Sequence, residues 1–184
     1  MSEPLSFDAI EEARRRWSRI WPNSARAMAA AASIARAEQI VLKAMDATLR
    51  PFGLTWARYE ALVLLSFTRT GTIPMGKMGE RLMIHPTSVT NIINRLEEDG
   101  LVERVSHPDD RRTRLARITD AGRELAAKAS VAVDDVRFGV GSLDPAKQEA
   151  LIDLIRDFRR GVKDFFPEKQ SEPADPPTTT DTTG

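Results

Sequence analysis

Pro86-Thr87-Ser88-Val89-Thr90-Asn91-Ile92-Ile93-Asn94-Arg95-Leu96-Glu97-Glu98-Asp99-Gly100-Leu101 is the stretch that decides how this chain folds. Val89, Ile92, Ile93 and Leu96 recur at i, i+3, i+4 and i+7, the spacing that gathers apolar side chains on one face of an α-helix. Pro86 suits the first helical position, where its missing N–H would have had no partner. Gly100 supplies a residue for the left-handed conformation that ends many helices; with it at C′, Leu96 and Leu101 fall where the apolar contact of a Schellman ending forms. Successive residues step by about 100°, so burying the apolar row turns Thr87, Ser88, Thr90, Asn91, Asn94 and Arg95 outward. Short polar side chains let a helix backbone come close to a duplex, asparagine pairs adenine edges, and arginine forks onto guanine.

Outward from that helix the chain alternates through 101–105 and 114–118, with Pro108, Asp109 and Asp110 between, which predicts an antiparallel hairpin. Arg111, Arg112 and Arg114 lie in or beside its loop, where long cations reach a minor groove or flanking phosphates, and Asp109 and Asp110 can hold one of them by a charge-assisted pair. A helix followed by an arginine hairpin is how a winged helix holds double-stranded DNA. Upstream, 74–83 reads as a short helix with Met78 and Leu82 inward, and Lys77 and Arg81 outward for phosphates.

The flanks are helical too. Ser6 is a candidate cap for a first helix bearing Phe7, Ile10, Trp17, Ile20 and Trp21, which Pro22 interrupts. A longer helix over 24–49 carries Met28, Ile34, Val41, Met45 and Leu49 near one side, and Pro51 and Gly53 end it. Thr55 reads as an N-cap, with Leu54 and Tyr59 placed for a hydrophobic staple, opening a helix to Leu65 whose Tyr59, Leu62, Val63 and Leu65 face the core. Thr119 and Asp120 start a helix to Phe138. Asp144-Pro145 starts a last one, which buries Leu151, Leu154, Ile155, Phe158, Val162 and Phe165 along one face. From Pro167 onward Glu, Asp, Pro and Thr dominate, predicting a disordered tail over 167–184.

At 184 residues the chain is long enough for one domain of ordinary size. Lys and Arg number 27 against 27 Asp and Glu, so no global field draws the molecule to nucleic acid, and any DNA affinity must come from local segregation of charge. The absence of cysteine excludes disulfides, thiol redox sensing and thiolate metal sites. The apolar stretch 27–35 is too short to span a bilayer, so a cytoplasmic protein without membrane partners is expected. His85 stands three residues before Ser88, but no third group is evident to orient the imidazole as a catalytic base. His107 beside Asp109 and Asp110 is a polar loop before it is a metal site. No catalytic residue, metal or other cofactor is expected. Trp17, Trp21, Trp56 and Tyr59 are either packing residues or the aromatic wall of a small-molecule site.

The run Asp110-Arg111-Arg112-Thr113-Arg114-Leu115-Ala116-Arg117-Ile118-Thr119, with the helix before it, resembles the wing signature and recognition helix of the MarR family of bacterial transcription regulators, and the resemblance extends over about 24–166. It implies that Arg112 is the wing-tip arginine, that Asp110 orients it, and that Thr87, Ser88, Thr90, Asn91 and Arg95 face bases or phosphates. It also implies a homodimer with interlocking first and last helices, and a small, often aromatic or anionic, effector held between those helices and the winged domain.

The expected fold is mainly α with a small β-wing: a winged helix-turn-helix over 54–119, dimerisation helices over 24–53 and 120–166, and an N-terminal extension helix over 1–23. The expected function is a ligand-responsive, homodimeric repressor on a pseudo-palindromic operator. Two alternatives stand beside it: a nonspecific architectural DNA-binding protein, and a winged-helix module for protein interaction.

Overall fold

In the computed structural model, which describes residues 6–107 and 113–165, the N-terminal helix α1 (Ala9–Ser18) is capped by Asp8, whose carboxylate accepts from the N–H groups of Ile10 (2.9 Å) and Glu11 (3.1 Å). The expected cap at Ser6 is therefore corrected: a carboxylate two residues on satisfies two orphan donors and sits at the positive end of the helix dipole. Helix α1 packs on α2 (Ala25–Leu49), of which Met45 and Leu49 reach the buried core. Helix α3 (Trp56–Ser66) follows. Thr55 occupies its N-cap in extended conformation but makes no capping bond; Asp46 of α2 takes the Trp56 N–H instead, at 3.1 Å. The staple residues Leu54 and Tyr59 are both buried.

A three-residue strand β1 (Thr72–Pro74) leads into α4 (Met75–Leu82), then α5 (Pro86–Glu98), and then the strands β2 (Val102–Ser106) and β3 (Arg114–Ile118). The sheet is antiparallel with order β1-β3-β2, Ile73 opposite Ala116 and Arg104 opposite Ala116 on the other side. Strand β1 is an addition to the expected hairpin. Three residues are too few to show alternation, and only pairing with β3 makes Thr72–Pro74 a strand.

Helix α6 (Asp120–Asp135) starts at Thr119, whose hydroxyl oxygen accepts the Gly122 N–H at 3.1 Å. Gly122 allows a close approach: a Cβ there would stand 2.2 Å from the Leu101 carbonyl oxygen, so any side chain would push α6 off the base of the hairpin. The helix stops at Asp135, short of the expected Phe138, because Arg137 and Phe138 turn to φ 48° and 51°, which no α-helix continues.

The core of this first unit, which runs to Ser142, gathers Met45 and Leu49 from α2, Leu62 and Leu65 from α3, Met78 from α4, Ile93 and Leu96 from α5, and Ala129 and Val133 from α6, all without solvent exposure. A second unit begins at Leu143 and contains α7 (Pro145–Gly161), started by Asp144, whose carboxylate accepts the Lys147 N–H at 2.9 Å. The expected burial of its apolar row is corrected. No α7 residue is buried, and Leu151, Leu154 and Phe158 are 43%, 69% and 57% exposed, because among the described residues of this unit no second element packs on the helix.

Candidate nucleic-acid interface and ligand cavity

Helix α5 divides as its sequence demands. Val89, Ile93 and Leu96 are buried, Ile92 is half-buried, and Thr87, Ser88, Thr90, Asn91, Asn94 and Arg95 are all exposed. His85 caps the helix: its Nδ1 accepts the Thr87 N–H at 3.2 Å, a structural use that engages Thr87 rather than Ser88. At the other end, the N–H of Leu101 reaches the Leu96 carbonyl (2.9 Å) and that of Gly100 the Glu97 carbonyl (3.0 Å), the two bonds of a Schellman motif, with Gly100 at φ +69°. The chain therefore leaves α5 straight into β2.

Arg95 rests against Glu98 at 3.1 Å with both side chains well exposed, a pairing of little strength. Thr90 donates its hydroxyl to the Pro86 carbonyl (3.2 Å). Lys77 and Arg81 stand exposed on α4, the helix packed against α5.

Strand β2 locks the hairpin to α5. The Arg104 guanidinium bonds both the Glu97 carboxylate and Asn94 Oδ1, and its backbone N–H donates to Glu97 at 3.2 Å. Asn94 is thus partly committed within the protein, whereas Asn91 on the same face is not. By sequence Arg104 is one more hairpin arginine; Glu97 seven positions earlier was the only signal of this pairing, and that spacing becomes a contact only when the chain reverses at Gly100. Arg117 pairs with Glu103 across the strands at 2.6 Å, and Arg114 is exposed, its guanidinium 3.4 Å from Ser106 Oγ. Asp110, Arg111 and Arg112, with Pro108 and Asp109, lie outside the described residues.

A second feature opens beside α3: a cavity of about 630 Å³. Trp56, Glu60, Val63 and Phe67, at i, i+4, i+7 and i+11, form one wall together with Tyr59 and Leu64; Ser130 and Asp134 of α6, Leu82 and Phe138 complete it. The Tyr59 and Ser130 hydroxyls bond each other at 3.1 Å, and Trp56 meets Tyr59 (centroids 5.6 Å) and the edge of Phe138 (6.3 Å). Of the four aromatic residues singled out from sequence, Trp56 and Tyr59 line this cavity and Trp17 and Trp21 do not. Those two meet each other at a tilt with ring centroids 4.7 Å apart, and Trp17 Nε1 donates to Ser24 Oγ at 3.0 Å. Phe138 was missed. Glu60 shares a helix face with Trp56, a signal present in the spacing, but Phe138 arrives only through the left-handed bend. Burial pushes the Glu60 carboxyl above its ordinary value.

Besides the shared core, a polar contact ties the cavity's helix α3 to the end of α5. Arg58, on the same helix as Trp56 and Glu60, donates to the Gly53 carbonyl (3.0 Å) and pairs with Asp99 at the end of α5. Its Nε is buried with no partner among the described residues, so the guanidinium is held by these contacts alone.

The MarR family profile matches residues 54–113, the span from the start of α3 to the edge of β3. Sco5413, a MarR family transcriptional regulator from Streptomyces coelicolor, is 46% identical and superposes with a TM-score of 0.71, over 76% of this chain and 97% of its own. The chain belongs to the MarR family. Among the MarR structures similar to it, Sco3205 from Streptomyces coelicolor is in complex with DNA (25% identity, TM-score 0.66, 89% of this chain and 94% of that one). CouR from Rhodococcus jostii RHA1 is bound to p-coumaroyl-CoA (28% identity, TM-score 0.60, 75% and 92%). The curated relatives are matched over a shorter stretch, the chain spanning between 54% and 62% of the length of the first three. The relatives matched here are named as transcriptional regulators. Among the described residues no helix is long and apolar enough to cross a membrane.

Proposed function

We propose that this MarR-family chain is a sequence-specific, ligand-responsive repressor that binds a pseudo-palindromic operator as a homodimer. The observation that carries the reading is α5: a fully seated apolar face beneath an exposed row of Thr87, Ser88, Thr90, Asn91 and Arg95. In this reading α5 enters the major groove, Lys77 and Arg81 of α4 hold phosphates, and Arg114 with Arg111 and Arg112, oriented by Asp110, supplies the wing contact. Asn94 acts with Arg104 at the margin. The uncovered face of α7 seats a second copy, and two-fold symmetry then sets half-sites about 34–36 Å apart. The cavity between α3 and α6 holds the effector. Because Arg58 ties the cavity's helix to the end of α5, a ligand that shifts α3 shifts the separation of the two recognition helices, a change in population rather than a reaction.

The test uses duplexes selected from a random pool by the purified protein, with affinity read by fluorescence anisotropy. Asn91→Ala and Arg95→Ala should each weaken the selected site by about 1–3 kcal/mol, roughly 5- to 150-fold, with the melting temperature unchanged. Equal affinity for random duplex would make the protein an architectural binder, which its zero net charge disfavours. Absence of any salt-dependent duplex binding would make it a protein-interaction module.

A further inference from the structure

The cavity beside α3 has aromatic and aliphatic walls, and the only ionisable groups among its lining residues besides the Tyr59 phenol are two carboxylic acids, Glu60 and Asp134. No lysine, arginine or histidine lines it. Arg123 borders an adjoining hollow of about 280 Å³, but its guanidinium packs against Gly71, on the side of the turn before β1. The Tyr59 and Ser130 hydroxyls bond each other, one donating and the other accepting, which leaves one O–H over. Glu60 is half-buried, takes part in no ion pair among the described residues, and has its carboxyl raised by desolvation alone.

From this geometry we infer that the cavity takes a cationic aromatic molecule, an amine or ammonium on a flat apolar body, rather than an anion; the inference rests on the reading of the cavity as the effector site. The ligand's body lies against the contacting rings of Trp56 and Phe138, and its charge faces Glu60 and Asp134. A half-buried carboxylate with no counterion has already lost part of its hydration, so a cation placed beside it restores attraction at little further desolvation. The ring faces of Trp56 and Phe138 add cation–π attraction. An anion meets the opposite situation: two carboxylates of like charge, set against neutral donors only, the Trp56 indole N–H and the one hydroxyl hydrogen left over by the Tyr59–Ser130 bond. The volume of about 630 Å³ accommodates a fused two-ring body with a short side chain.

Three probes of one shape separate the possibilities: 2-naphthylmethylamine (a cation at neutral pH), 2-naphthylmethanol and 2-naphthoate, titrated calorimetrically into the full chain and into its Glu60→Gln and Leu64→Trp variants. The amine should bind at least tenfold more tightly than the naphthoate, lose about tenfold in Glu60→Gln, and be excluded by Leu64→Trp, which fills the cavity. Its affinity should also rise with pH as Glu60 ionises, because the charged carboxylate is the form it pairs with. Naphthoate binding as tightly as the amine, and blocked by Leu64→Trp, overturns the charge assignment while leaving the cavity as a ligand site. Binding of none of the three overturns both. Glu60→Gln is nearly isosteric and removes a half-buried charge, so it keeps the fold available for the comparison.

Discussion

Helices α5 and α7 are nearly the same object locally, yet they end in opposite states. Each begins with proline at its first position behind a side-chain cap, His85 or Asp144. Each ends in a Schellman motif, with Gly100 at φ +69° in one and Lys163 at φ +57° in the other, the α7 bonds running from Lys163 to Arg160 (3.1 Å) and from Asp164 to Arg159 (3.0 Å). Each carries an apolar row. Yet Ile93 and Leu96 have no exposure, and Leu154 and Phe158 are mostly in water. Amphipathic sequence thus forms a helix and assigns it a face. It does not say whether the cover comes from the same chain.

The strongest way to break this contrast is to truncate the covered face. Ile93→Ala should cost about 2–5 kcal/mol, from lost transfer energy and the cavity left behind, as a fall in the urea midpoint that is the same at every protein concentration. A smaller loss follows from disturbing the ending the two helices share. Gly100→Ala forces a Cβ into the left-handed region and should cost about 1 kcal/mol, whereas α7 already tolerates lysine at the equivalent place; equilibrium unfolding of the variant measures it. The smallest effect is expected on the uncovered face. Leu154→Gln should change stability by no more than about 0.5 kcal/mol in dilute protein, with a deficit relative to the parent that grows with concentration as the parent's second copy covers the face. A deficit as large as that of Ile93→Ala, and independent of concentration, would show that α7 is covered within its own chain and end the contrast.

The pH behaviour of Glu60 sharpens a different edge of the same lesson, since the helix that buries Tyr59 and Leu62 also carries a carboxyl inward toward the cavity. Because burial raises its folded-state pKa, the folded chain holds that proton more tightly than the unfolded chain does. Its contribution is therefore fully present below the unfolded carboxyl pKa and is lost as pH rises through the folded one.

Much of the DNA-facing half was legible in the residues themselves. The period of Val89, Ile93 and Leu96 set the orientation of α5, because turning Asn91 or Arg95 inward would bury polar groups without partners. The ending at Gly100 was legible because only a few residues accept its conformation. Other features were not. The cap of α1 moved from Ser6 to Asp8 because two capping residue types compete within one turn, and only the helix start chooses between them. Strand β1 has no periodicity to read. Arg104 looked like any hairpin arginine until the reversal at Gly100 set it against Glu97 and Asn94.

Local chemistry along the chain was enough to specify helices, caps, endings and the side of each helix that shuns water, since these depend on neighbours within about a turn and on steric limits of single residues. Tertiary structure alone decided which apolar rows are satisfied inside the protomer, that Phe138 joins Trp56 and Glu60 around one cavity, and that Arg58 links that cavity to the end of α5. Those are long-range juxtapositions. They follow from how elements pack rather than from any spacing in the sequence.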